Sequence, residues 1–420
     1  MSGGLIQLIA VGAQDSYLTG SASITFWRST YRRHTPHAVE SVQNTFSGNA
    51  DFGKKVTATI SRNGDLISNM YLEVELPVLP TFTDTAGATR NVSYVNHVGL
   101  ALIKSVEVEI GGQRIDRLTG EFMKIWNELS LADERKRGFD KMVGSYPEPL
   151  DADVEDLNRN GGKYYIPIQF WFSNGNPGQA LPIIALQYHE TRVSFEFRDI
   201  MELVRIPSDA SGLIPTSWTR PNIRDASLFV DYVFLGQEER RKFASSSHEY
   251  LITQCQFLGD ESIASGQVNN KVRLNFNHPV KALYWVFTRD TKATREEKSG
   301  NQWFDFGSNW SGNSRVTTAT LMLNGHERFS ARAGSYFSTL QPYQHHTRVP
   351  DSQIFMYSFA LAPQDLQPSG SMNFSRTDNA TLTVNVDTTV MNAAGKIKVY
   401  ALSINVLRVL SGMAGLAYSN

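Results

Sequence analysis

With a single cysteine, Cys255, in 420 residues, the chain cannot form an intrachain disulfide, and nothing in it calls for an oxidising compartment. Basic excess is missing too. Its 40 Lys and Arg stand against 41 Asp and Glu, a net charge of -1, so the phosphate neutralisation that drives bulk nucleic-acid binding has no source, and no direct nucleic-acid binding is expected. No apolar run approaches the ~18 residues of a membrane-crossing helix. The longest near the start, Leu5 to Val11, is broken by Gln7 and has no Lys or Arg before it. It therefore lacks the basic region of a signal peptide and is expected to be retained. That segment reads either as a docking arm or membrane-proximal contact, or as a strand or turn against the body.

Catalytic and metal-binding patterns are also missing. The chain carries no nucleophile elbow, phosphate-cradling glycine loop or zinc-protease helix. Its nine histidines include no pair two apart on one strand face, the spacing a metal-binding jelly roll needs. His345 and His346 are adjacent, so on a strand they would point to opposite faces. No metal and no cofactor is therefore expected. Glu73 with Glu75 and Glu107 with Glu109 have the residue type of a glycosidase pair, but they alternate with apolar residues and are assigned to a solvent face. Cys255, flanked by Gln254 and Gln256 without a basic neighbour, reads as a structural thiol rather than a nucleophile.

Apolar residues recurring at every second position are the dominant signal, the mark of half-buried strands. They occur at Val56, Ala58 and Ile60, at Leu72, Val74 and Leu76, at Val106, Val108 and Ile110, and at Val193, Phe195 and Phe197. The pattern returns at Val272, Leu274 and Phe276, at Leu321 and Leu323, at Leu382, Val384 and Val386, and at Ile397, Val399 and Ala401. One segment breaks it. Phe122, Ile125, Trp126 and Leu129 have helical spacing and lead into the charged run Asp133 to Arg137, which predicts one helix inserted between strands, with the charges solvated.

The two halves resemble each other in order. Val56 to Ile60 aligns with Val272 to Phe276, Met70 to Leu72 with Leu283 to Trp285, and Ile110-Gly111-Gly112 with Leu323-Asn324-Gly325. Further on, Pro182 aligns with Pro368, Leu186 with Met372, and Phe229 to Tyr232 with Lys398 to Ala401. A duplicated strand-rich module of this size predicts an all-β fold of two tandem eight-stranded jelly rolls, the first carrying the inserted helix. The expected division is an arm at 1–26, a first jelly roll at 27–236, a polar connector at 237–247 and a second jelly roll at 248–420.

Asn-x-Ser/Thr sequons stand at Asn91, Asn309, Asn373 and Asn379. Asn91 and Asn309 fall in the equivalent stretches Pro77 to Ile103 and Thr288 to Thr318. Both stretches are therefore expected to leave the same end of the molecule as exposed loops, with these two asparagines as candidates for covalent glycans. Asn373 and Asn379 lie in or beside a predicted strand and are expected to be unmodified.

Longer blocks then point to a family. Gly12 to Asp15, Tyr17 to Gly20, Ile24 to Phe26, Tyr31 to Arg33, Ser61 to Leu66, Glu109 to Asp116 and Ala185 to Glu190 resemble the first half of the major capsid proteins of large icosahedral DNA viruses, particularly those infecting algae. The second half agrees at Leu274 to Pro279, Gly334 to Phe337, Gln341 to Gln344, Asn373 to Arg376, Asp378 to Ala380, Asn405 to Arg408 and Ser411 to Met413. Ala414 departs from the glycine expected there, and Asp290 to Ser314 has no counterpart.

The resemblance implies a structural protein without enzymatic activity: a homotrimeric capsomer of pseudo-hexagonal outline that tiles an icosahedral virion. Assembly would take place in the host cytoplasm. Its implied partners are neighbouring capsomers, minor capsid and penton proteins, and an internal viral membrane. The arm, through Leu5, Ile6, Leu8 and Ile9, is the segment expected to reach them. A carbohydrate-binding double sandwich is the competing reading, with Trp303 and Trp310 as a stacking platform beside a core Trp285.

Overall fold

The computed structural model describes residues 3–145, 160–206, 212–215, 217–290, 301–311, 313–391 and 393–419. Two compact units result, Met1–Pro36 and His37–Asn420. The first contains two short helices, α1 (Gly3–Ile9) and α2 (Ala13–Thr19), the latter started by Asp15, whose carboxylate accepts from the Gly12 N–H at 3.0 Å. Leu5 to Ile9 thus form a helix, not the strand or turn that was the alternative for them.

The larger unit starts with β1 (His37–Asn44), β2 (Lys55–Thr59), β3 (Leu66–Leu76), β4 (Ile103–Ile110), β5 (Gln113–Thr119), β6 (Gly162–Pro167), β7 (Thr191–Phe197) and β8 (Asp225–Leu235). These pair antiparallel in two four-stranded sheets, β1-β8-β3-β6 and β2-β7-β4-β5. Next come β9 (His248–Ile263), β10 (Asn269–Arg273), β11 (Pro279–Arg289), β12 (Val316–Leu323), β13 (His326–Ala333), β14 (Phe355–Ser358), β15 (Ala380–Val386) and β16 (Gly395–Leu410). Their sheets run β9-β16-β11-β14 and β10-β15-β12-β13. Met372–Asn373 and β17 (Met413–Leu416) are short additions to the first of these. The order is that of the first half with every number raised by eight, so two jelly rolls follow each other along the chain.

Hydrogen bonding corrects one detail of the alignment. Leu228 sits opposite Leu72, and Val399 opposite Trp285. With Leu72 and Trp285 as counterparts, Leu228 therefore matches Val399, two residues away from the pairing suggested by sequence. Because side chains alternate, that slip keeps every residue on its face.

Inside each sandwich the alternation has its expected effect. Along β15 burial alternates with partial exposure at every step, Ala380, Leu382, Val384 and Val386 pointing inward. The exceptions are β11, buried from Val280 to Thr288, and β16, buried from Ile397 to Ser403, each on both faces. Leu283, Trp285 and Phe287 enter the core of the second sandwich, while Ala282, Tyr284 and Val286 join the core of the first. One sheet thus serves two cores.

The predicted helix is α4 (Gly120–Ser130), opened by Thr119, whose hydroxyl accepts from the Phe122 N–H at 3.2 Å. It has company. The short α3 (Val98–Leu102) precedes β4, and the charged run forms the first turn of α5 (Asp133–Val143). The stretch 237–247, expected as a polar connector, contains α6 (Gln237–Ser245). A final helix, α7 (Gln341–His345), lies between β13 and β14.

Candidate functional site

The chemistry of this chain concentrates where the two sandwiches meet, and α4 is the wedge between them. Its Phe122 ring lies 5.5 Å from Tyr400 and 6.3 Å from Tyr284, while Trp126 packs edge-on to Tyr284 at 6.4 Å. Glu121 is buried and faces Arg198 of the first sandwich and Lys398 of the second, the latter at 3.4 Å. Burial pushes its carboxyl up, but the two cations outweigh burial and hold it below the ordinary value. Two turns on, Glu128 accepts from Lys124 at 2.7 Å and from the Ser352 hydroxyl at 3.1 Å. Lys124 also donates to His97 at 2.6 Å. Burial, reinforced by the Lys124 charge, pushes the imidazole of His97 well below its ordinary pKa, so it accepts as a neutral ring. Every charge in the wedge has a partner, and partners come from both halves.

A second tie is made by three blocks far apart in sequence. The turn after β4, the segment Ala185 to Glu190 and the C-terminal Ser411 to Ala414 converge. Gly111 N–H donates to the Glu190 carbonyl at 3.0 Å, Tyr188 N–H to the Gly412 carbonyl at 2.9 Å, and Ala414 N–H to His189 Nδ1 at 3.1 Å. Two glycines are required by this closure. Gly111 has φ +58, and a Cβ there would stand 2.3 Å from the His189 ring. Gly412 has φ +81, and a Cβ would stand 2.6 Å from the Tyr188 ring. Ala414, where a glycine was expected, is buried in β17 opposite Val409 and keeps a negative φ, so its methyl is accommodated.

Between these ties lies a cavity of about 290 Å³. It is lined by Arg114, Asp116 and Arg117 of β5, Gln254 and Cys255 of β9, and His278. Asp116 Oδ1 accepts from the Cys255 and Arg117 N–H groups at 3.1 and 2.9 Å, and burial pushes its pKa up to about 7. Burial together with the Asp116 charge pushes the Cys255 thiol well above its ordinary value. A thiol held protonated is a poor nucleophile, in keeping with a structural role.

Among the residues singled out in the sequence, Glu107 departs from expectation. It stands on the outer face of its sheet but is buried there beneath Lys55 at 3.1 Å and Arg117 and Arg114 at 3.4 and 3.5 Å, whose own side chains are exposed. The loops behave differently from prediction as well. Part of Pro77 to Ile103 is core, with Leu79, Val92 and Tyr94 fully buried, while the hairpin turn Thr85 to Gly87 and, after it, Thr89 and Asn91 are exposed. In the equivalent stretch, 291–300 and 312 lie outside the described residues. Its first described residue, Asn301, turns inward and donates to the Met201 and Val204 carbonyls at 2.8 Å each, while Ser308, Trp310, Ser311 and Asn313 are exposed as expected. His97 of one loop and Phe304 of the other meet at 5.8 Å, so both leave the same end.

Asn309 Nδ2, the atom a glycan would use, is within hydrogen-bond reach of the Ser338, Pro350 and Ser352 carbonyls at 3.3, 2.8 and 3.0 Å. Trp303 and Trp310 form no stacking platform. The Arg198 guanidinium covers the Trp303 ring at 3.9 Å, and the Trp310 indole donates to Asp351 at 3.1 Å. His345 ends α7, and His346 contacts the Tyr284 hydroxyl at 3.1 Å; burial pushes its pKa down to about 3. In the N-terminal unit, Leu5, Ile6, Leu8 and Ile9 are all exposed.

Comparison with known families covers both sandwiches. The family described as major capsid protein N-terminus matches residues 25–236, and that of the large eukaryotic DNA virus major capsid protein matches 239–415. The chain belongs to the major capsid proteins of large eukaryotic DNA viruses. Among its relatives, the major capsid protein of Pyramimonas orientalis virus is 44% identical and that of Paramecium bursaria Chlorella virus 1 is 38% identical, each aligned over the whole of both chains. A quasi-atomic model of the PBCV-1 virus capsid superposes with a TM-score of 0.77 at 32% identity, covering 94% of this chain and all of the other. The Faustovirus major capsid protein, at 13% identity, shares the fold with a TM-score of 0.74 over 95% of this chain and 94% of its own. This capsid protein is thus a structural component of a virion, not an enzyme, and the wedge and strap make two jelly rolls one building block.

Proposed function

We propose that three copies associate into a pseudo-hexagonal capsomer that tiles an icosahedral shell. The observation that carries this reading is the repeated strand order: two sandwiches alike in every sheet, joined by α4 and the C-terminal strap, give a threefold assembly six similar sides. Such an object packs hexagonally with repeated lateral contacts. Residues 27–236 and 248–420 are the two jelly rolls of this unit, 237–247 is the connector, and 1–26 is the arm.

The arm's partners are neighbouring subunits, minor capsid and penton proteins, or an internal viral membrane, and shell assembly takes place in the host cytoplasm. Asn91, exposed just after the hairpin that pairs Phe82 with Arg90, is a sequon placed to accept a glycan. Asn309 must first give up its three carbonyl contacts.

Light scattering after gel filtration tests the capsomer. A species near three times 47.0 kDa is expected. A protein that stays monomeric at high concentration overturns the trimer.

A further inference from the structure

The N-terminal unit has an ordered chemistry of its own. Along α1, Leu5, Ile6, Leu8 and Ile9 occupy an arc of roughly 160° at the helix's 3.6-residue turn, with Gln7 opposite. All four are exposed, as are Tyr17, Leu18 and Ile24. Aromatics follow: Phe26 is 91% exposed and Trp27 96%, with Tyr31 close behind. Apart from Asp15 in α2, charge comes last and is basic. The first basic residue of the chain is Arg28, followed by Arg32 and Arg33, and no acidic residue stands between Asp15 and Glu40.

We infer that Met1–Pro36 docks on an anionic phospholipid bilayer, with α1 lying in the interface. Its sequence order is the depth order of a membrane surface: aliphatic side chains for the acyl boundary, tryptophan and tyrosine for the headgroup level, arginines for the anionic phosphates. Leu5, Leu8 and Ile9 also have the i, i+3, i+4 spacing of a helix that fills a protein groove; the cationic stretch that follows, three arginines without an acid, selects the anionic bilayer instead. Met1–Pro36 has a continuous apolar arc in α1 and, after Asp15, a purely cationic flank. Among the arm partners proposed above, the inference selects the membrane and rests on the coat reading only for placing that membrane beneath a shell.

Flotation of the purified full chain with phosphatidylcholine vesicles, with and without phosphatidylserine, tests the docking. The protein is expected to float with the phosphatidylserine vesicles and to come off at high salt. Replacing Arg28, Arg32 and Arg33 by Gln should weaken retention on the order of a hundredfold, since each cation contributes about fivefold at an anionic surface. The pair Leu5→Gln and Ile9→Gln should abolish flotation while leaving the solution mass of the protein unchanged. No flotation with either vesicle overturns the inference, as does equal flotation of the variants. Cross-linking of the arm to other copies, without flotation, assigns it to a protein partner and also overturns it. The capsomer is judged separately by its mass, so either reading can fail without the other.

Discussion

At the scale of single residues, Asp116 makes the junction sensitive to pH. Its carboxyl, with an ordinary value of 3.8, is raised by burial to about 7 in the fold. The folded state therefore holds a proton that the unfolded state has released. Between about pH 4 and pH 7 this group makes stability fall as pH rises, and above pH 7 the loss is complete. Asp116→Asn keeps the Oδ1 acceptor for Cys255 and Arg117 and removes the titration. The variant is expected to be more stable than the parent at pH 8, by at most about 4 kcal/mol, and to lose most of that advantage at pH 4. Calorimetry at both values decides it; an equal effect at each pH would mean the carboxylate is well solvated. His346 has the opposite sign. Its pKa is lowered to about 3 by burial, so its contribution is intact above about pH 6.5 and is lost as the pH falls toward 3.

Among the elements, α4 carries the association of the two halves. Its apolar stripe was legible in the sequence, because Phe122, Ile125, Trp126 and Leu129 keep helical spacing whatever they pack against. Its charged residues carried no such signal. No pattern in the sequence marks Glu121, Lys124 and Glu128 for burial, and they are buried because a second sandwich covers them. Glu121→Ala leaves Arg198 and Lys398 without their shared carboxylate, at a cost of about 3–5 kcal/mol. Denaturant titration is expected to show a lower midpoint. Replacing Arg198 and Lys398 by Met as well should recover most of the loss, since uncompensated buried charge is its source. No recovery would put the role of Glu121 in packing instead. Glu107 follows the same logic within one sheet, where Lys55, Arg114 and Arg117 converge on a carboxylate that alternation alone assigns to solvent.

For the whole molecule, β11 and β16 decide whether the halves are independent. Tyr284, Val286, Tyr400 and Leu402 belong to the core of the first sandwich although they lie in the second half of the chain. Residues 248–420 expressed alone expose that face, a contiguous apolar surface of the kind that drives association. The fragment is expected to aggregate, or to bind a dye that reports exposed apolar surface, while the full chain does neither. A fragment that stays soluble and monomeric and unfolds cooperatively would show that the second sandwich needs no cover. The uninterrupted apolar run Leu283-Tyr284-Trp285 already signals burial on both faces, but the sequence does not say which face meets which core.

The sequence by itself determined the strands, the duplication, the helix α4 and the family, because period-two and helical patterns and ordered motifs are local properties. Only the tertiary structure decided that Gly111, His189 and Gly412 close one strap, that Asp116 shares a cavity with Cys255, and that Asn309 is tied to three carbonyls. These groups lie up to hundreds of positions apart. Burial, hydrogen bonding and pKa depend on the neighbours that folding brings in, and neither alternation nor spacing encodes them.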